Sequence, residues 1–127
     1  MEASKIYIKP LHKSFYVRHT NKMMKMSYQF QLLMSKMGTI AESNDPEDQV
    51  NLAMEYSDAL VDFPHRVLKL NDKQAEKLDD QDQDVLQNIA VELALTIQGL
   101  PKHEIKKTLD NMNEAINDGE DPKKSDK

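Results

Sequence analysis

The chain has no cysteine, and only three glycines and five prolines in 127 residues. Without cysteine there are neither disulfides nor thiolate metal sites, which suits a reducing compartment. Three glycines cannot supply the GxGxxG, Walker A or GxSxG loops that cradle phosphates or present a nucleophile. Aromatics make up 6% of the residues, which suits a small, mainly helical domain better than a β-sandwich. No apolar run approaches the roughly 18 residues needed to span a bilayer. The opening MEASKIYIKP lacks the continuous apolar stretch of a signal peptide. The chain therefore reads as cytoplasmic, without a cofactor, and nothing in it marks an enzyme.

What is present is charge, unevenly spread. Charged residues make up 31% of the chain against 39% apolar, and the mean hydropathy is −0.72. That is low for a globule throughout its length, so solvated ends are expected. The net charge of −5 divides into about +6 over residues 1–37, −10 over 38–101 and −1 over 102–127. A basic head thus precedes an acidic body. The two attract each other within one fold or between copies, which leaves a homo-oligomer open. The alternative reading is a small nucleic-acid-binding regulator using the basic N-terminal region. It is disfavoured because the acidic body weakens phosphate binding.

The residue pattern predicts a mainly α protein of four to five helices, with an N-terminal β-hairpin and a disordered C-terminal tail. One helical domain covers 1–117, with the hairpin in 1–19 and the helices in 20–117; the tail is 118–127. KIYIK at 5–9 and SFYVR at 14–18 read as strands joined by a loop at Pro10–Lys13. Thr20 or Asn21 caps the next helix, and Gly38 is placed to end it as a C′ residue. Asn44 or Asp45 caps a helix with Pro46 in its first position, and Pro64 is expected to end or kink it. Val67, Leu68 and Leu70 then suggest a further short segment, and residues 73–78 a helical turn or two.

Residues 83–98 carry Val85, Leu86, Ile89, Ala90, Leu93 and Ile97 on one face and Val91 and Leu95 opposite. A helix apolar on two sides is central. Gly99-Leu100-Pro101 stops it. In the last helix, about 102–117, Ile105, Leu109, Met112 and Ile116 form a narrow seam for a single neighbour. From Asp118 on, DGEDPKKSDK has no apolar residue.

Thr20 to Ile40 holds five of the eight methionines. Met23, Met26, Phe30, Leu33, Met34 and Met37 share an arc of roughly 100°, the width of a core-facing stripe. Met24, Tyr28 and Leu32 form a second ridge at i, i+4, i+8. The stripe is read as core, because methionine fills irregular gaps well. The ridge is read as a partner surface, with Met24, Tyr28, Leu32, Met23 and Met26 as its candidate residues, because the flexible thioether also suits adaptable docking.

Other clusters carry less. None of His12, His19, His65 and His103 stands in a metal-ligand motif, and all four are read as solvated. Asp80-x-Asp82-x-Asp84 superficially opens like a calcium loop, but Val85 and Val91 occupy the positions where an EF-hand needs glycine and glutamate. No metal site is expected.

The order of hairpin, helix, acidic helical body and hydrophilic tail, and the texture of KIYIKPLHKSFYVRHTNKMMKMSYQFQLLMSKM, resemble the tail assembly chaperones of long-tailed phages and prophages. The resemblance implies a cytoplasmic helical protein, made in the bacterial host, that is not an enzyme. It implies binding to the long, helical tape measure protein, keeping it soluble while the tail tube polymerises around it, with the tail tube protein as a further partner. It also implies two lengths made by frameshifting, for which Lys123-Lys124 is the matching place.

Overall fold

Strict alternation builds the first element. In the computed structural model, which describes residues 4–120 apart from the side chains of Ala41 and 115–120, β1 (Ser4–Ile8) and β2 (Lys13–Val17) pair antiparallel, with Ile6 opposite Phe15 and Tyr7 opposite Ser14. Ile6, Ile8 and Val17 point inward and are buried, while Tyr7 and Tyr16 remain exposed. The connection is a 3-10 turn at Lys9–Leu11 closed by His12 in the left-handed region at φ 51°. Two strands alone are marginal in water. Here β1 rests on the fourth helix and β2 on the second.

Five helices follow. Thr20 caps α1 (Asn21–Gly38), its hydroxyl oxygen accepting from the Met23 N–H at 3.2 Å. Gly38 does not act as the expected C′ residue. It is the last residue of α1, and Thr39 leads into a 3-10 turn at Ile40–Glu42. Because that turn stays right-handed, no glycine in the left-handed region is needed. Asp45 caps α2 (Pro46–Leu68), and Pro46 opens it as expected.

Pro64 overturns an expectation. It does not end the helix: α2 continues past it to Leu68 and stops only at Lys69, in the left-handed region at φ 54°. A proline inside a helix loses one hydrogen bond and crowds the preceding turn. Here its ring is fully buried, on a helix whose Leu60, Phe63, Val67 and Leu68 belong to the core, and that apolar burial offsets the lost bond. Val67 and Leu68 are thus the end of α2, and Leu70 follows just beyond its C-cap Lys69, with no separate segment between.

A capping box of Asn71 and Gln74 starts α3 (Asp72–Asp79). Asp82 precedes α4 (Gln83–Ile97), where Leu86, Ile89, Ala90, Val91, Leu93, Ala94, Leu95 and Ile97 are all buried. This helix touches α1, α2, α5 and β1, so it is the central element that its two apolar sides predicted. It ends in a Schellman motif: Gly99, at φ 87°, donates to the Thr96 carbonyl at 3.0 Å and Leu100 to the Leu95 carbonyl at 3.1 Å. Helix α5 (Lys102–Glu120) packs mainly on α4 through Ile105, Leu109 and Met112. It takes up residues 118–120 of the expected tail; the rest of that tail, with Lys123 and Lys124, and the side chain of Ile116 lie outside the described residues.

Phe30 of α1 locks the helices together. Its ring stacks on Phe63 with centroids 5.1 Å apart and on Tyr56 at 6.2 Å. On the other flank of α1, the fully buried Ser27 donates to the Met24 carbonyl at 2.7 Å and accepts from the Gln98 amide at 3.2 Å. The same amide also donates to the Gln31 side-chain oxygen at 3.1 Å, tying α1 to the end of α4.

Candidate partner-binding groove

Helix α1 lies between α2 and α4, so its two apolar ridges cannot both stay free. The structure divides them. Phe30 and Leu33 are buried, and Met23, Met26, Met34 and Met37 are half-buried against the core. The second ridge does not form one surface. Met24 is half-buried and packs against the core, Tyr28 is 52% exposed on the crest, and Leu32 is 60% exposed. Spacing of i, i+4, i+8 drifts by about 40° per step around a helix of 3.6 residues per turn. Two such steps turn Leu32 about 80° from Met24, into the cleft between α1 and α2, which Met24 does not line.

On that side, α1 and α2 leave an open groove. One cleft of about 310 Å³ is lined by Met26, Phe30, Leu32 and Leu33 from α1 and by Ala59 and Phe63 from α2. Its rim carries Lys36 and Arg66 against Glu55 and Asp62, and Arg66 and Asp62 pair at 3.5 Å on the surface. A second cleft of about 410 Å³ adjoins it, sharing Met26 and Arg66. It adds Met23 and Leu70 with Lys22, His65 and Lys69. Three candidate residues, Met23, Met26 and Leu32, therefore lie along one continuous seam. Tyr28 stands on its outer edge by helical position, and Met24 lies off it.

Two further clefts flank α5. One, between α1, α4 and α5, is mostly apolar, with Met34, Val91, Leu95 and Met112 in its lining. The other, between β1, α4 and α5, includes Asn88, Glu92 and Lys102. There burial pushes the Glu92 carboxyl up from the ordinary carboxylate range, and Lys102 partly opposes the shift. Burial likewise raises the Tyr56 phenol, whose hydroxyl donates to Gln87 at 2.6 Å.

His12 and His103 are exposed, His19 and His65 half-buried. His19 is not a free surface side chain. Its Nδ1 donates to the Ile97 carbonyl at 2.6 Å, and its Nε2 lies 3.0 Å from the Ser4 hydroxyl. Among the described residues, no group of three or more His, Asp or Glu could hold a metal ion. No described helix is long and apolar enough to cross a membrane.

Residues 4–113 match the family of phage tail assembly chaperone proteins, TAC. The chain belongs to that family. No curated protein and no solved structure gives a match. The match spans the hairpin, all of α1 to α4 and most of α5, so the groove lies wholly inside the family's extent. Membership of a tail assembly chaperone family implies phage tail proteins as partners.

Residues from α2 are what sequence reasoning missed. Ala59, Phe63 and Arg66 of α2, with Lys69 and Leu70 just beyond it, line the seam opposite α1; ending the helix at Pro64 hid the last three, and nothing in the spacing of α2 pointed to the first two. A usable signal was present: Arg66 and Lys69 stand within the last turn of helix α2 and just beyond it, in a segment otherwise rich in acids.

Proposed function

We propose that this chaperone binds the tape measure protein, covers its apolar helical faces in the host cytoplasm and holds it soluble until tube subunits displace it. The observation that supports this reading is the α1–α2 groove itself. It is open and floored by Met26, Leu33 and Phe63, with the exposed Leu32 in its lining and the exposed Tyr28 one helical turn before Leu32 on α1. Helix-in-groove recognition needs such a floor together with a few exposed anchors beside it. A tape measure presents long apolar faces that aggregate when uncovered. Methionine at Met23 and Met26 adapts to differing side chains along such a face without a fixed sequence code.

Binding here needs no nucleotide and no covalent step. Release follows from competition, as tube subunits take over the surface that the chaperone covered. The acidic residues of α2, α3 and the start of α4 keep neighbouring chaperone copies apart and soluble. We further take residues 1–117 as a single working unit, since hairpin and helices share one core.

Co-expression with the tape measure protein tests the reading. Tyr28→Ser with Leu32→Gln removes both exposed anchors and spares Met24, which packs against the core. The soluble fraction of the tape measure protein should fall to the level seen without chaperone. An unchanged soluble fraction, with the variant still folded, rules out this surface.

A further inference from the structure

The groove is not electrically uniform along its length. Around Leu32 and Ala59 the rim holds two cations, Lys36 and Arg66, and two anions, Glu55 and Asp62. At the other end the lining contains Lys22, His65, Arg66 and Lys69 and no carboxylate at all. This cationic end lies within a chain of net charge −5. A local cluster set against an opposite overall field attracts a nearby carboxylate but does not gather polyanions from a distance.

The cluster is also available. Among the described residues Arg66 is engaged only by Asp62, at 3.5 Å, with both side chains more than half exposed. Exposed pairs of this kind contribute about 0–1 kcal/mol and exchange partners readily. The apolar floor continues beneath the cations through Met23, Met26 and Leu70. From Lys22 to Lys36 the seam runs fourteen residues of α1, or about 21 Å at 1.5 Å per residue, which is about four helical turns.

We propose that the groove takes one amphipathic helix of about four turns, with its apolar stripe on Met26, Leu32 and Leu70 and carboxylates at one end against Lys22, Arg66 and Lys69. This rests on the reading of the groove as the tape-measure site and deepens it by giving the bound segment a charge polarity. The apolar stripe supplies affinity. The charged end sets register and direction, because a helix slid or reversed in the groove brings its carboxylates beside Glu55 instead. A chaperone so built selects apolar segments that end in acid and passes over those that end in base.

The test uses the full chain and three synthetic helical peptides of 15 residues. All carry the same leucine stripe; one end bears three Glu, three Gln or three Lys. Binding is read by fluorescence anisotropy at low and high salt. The Glu peptide should bind about tenfold or more tighter than the Lys peptide at low salt. The gap should close near 1 M salt, where the screening length is about 3 Å. In a chain carrying Lys22→Glu and Lys69→Asp the preference should invert. Glu is favourable in the first turn of α1, and Asp tolerates the left-handed backbone at position 69, so this variant keeps its fold.

Equal binding of the three peptides, or a preference that survives the charge reversal, overturns the proposal. So does self-association of the wild-type chain that the reversal abolishes, since a second copy is then the occupant. Co-expression separates this failure from that of the parent reading. If the charge-reversed chain still solubilises the tape measure protein while Tyr28→Ser with Leu32→Gln does not, the polarity is wrong and the groove stands. If neither variant loses the activity, the groove itself is wrong.

Discussion

His19 Nδ1 lies 2.6 Å from the carbonyl oxygen of Ile97, seventy-eight residues away. The bond joins the exit of the hairpin to the last turn of α4, where carbonyls have no partner within the helix. In the neutral ring, Nε2 accepts from the Ser4 hydroxyl at 3.0 Å, so one imidazole ties β1, the β2–α1 connection and the central helix together. His19→Ala should lower the unfolding free energy by about 1–3 kcal/mol, the combined worth of two part-buried hydrogen bonds. Urea denaturation measures this, and amide exchange should quicken first in residues 4–17. A wild-type midpoint would mean that water replaces both bonds without cost.

Phe30 is 3% exposed and stacked on both Phe63 and Tyr56. Truncating it removes the ring that links α1 to α2. Phe30→Ala should cost about 3–5 kcal/mol, a large share of the stability of a domain this size, and calorimetry should show a much lower melting temperature. A small shift would show that α1 is held by the Ser27–Gln98 side instead.

Pro64→Ala weighs two opposed effects. Proline within a helix costs about 3 kcal/mol relative to alanine. Its buried ring holds two methylenes more than alanine, at about 0.8 kcal/mol each plus the cavity left behind. These nearly offset, so the substitution should change stability by no more than about 1.5 kcal/mol. A loss above about 3 kcal/mol would show that the ring itself steers the course of α2 and so the placement of Arg66 and Lys69.

Glu92 should make stability depend on pH in the direction opposite to a paired surface acid. Burial raises its pKa in the fold, so the folded chain holds that proton more tightly than the unfolded chain does. The resulting stabilisation is complete below the ordinary carboxylate range and is lost as pH rises through the elevated value. Glu92→Gln should therefore raise the urea midpoint at pH 7 and leave it nearly unchanged at pH 4. Equal effects at both pH values would show that packing, not charge burial, governs the site.

Tyr28 and Leu32 are more than half exposed, so replacing both should leave the unfolding free energy within about 0.5 kcal/mol of wild type. A larger loss would place them in the core and remove them as docking anchors.

Much of this fold was legible along the chain. Thr20 and Asp45 cap the helices that follow them, Pro46 opens α2, and Gly99 closes α4. The hairpin follows from the alternation of Ile6, Tyr7 and Ile8, and the central place of α4 from its two apolar sides. The candidate site was legible only in part. The spacing of α1 alone singles out Met23, Met26 and Leu32, but it also groups Met24 with Leu32, and it says nothing of the residues of α2 and beyond that line the same clefts.

The division has a physical cause. Caps, turns and apolar stripes depend on residues at most four or five positions apart, so the sequence by itself determined them. Whether a buried ring can offset a broken helical bond at Pro64 depends on what the rest of the chain packs around it. That Met24 packs against the core while Leu32 stays exposed depends on which neighbours flank that helix. The cationic end of the groove exists only because Lys22 and Lys69, forty-seven residues apart, line the same cleft. Those outcomes rest on contacts between distant segments, and only the tertiary structure decided them.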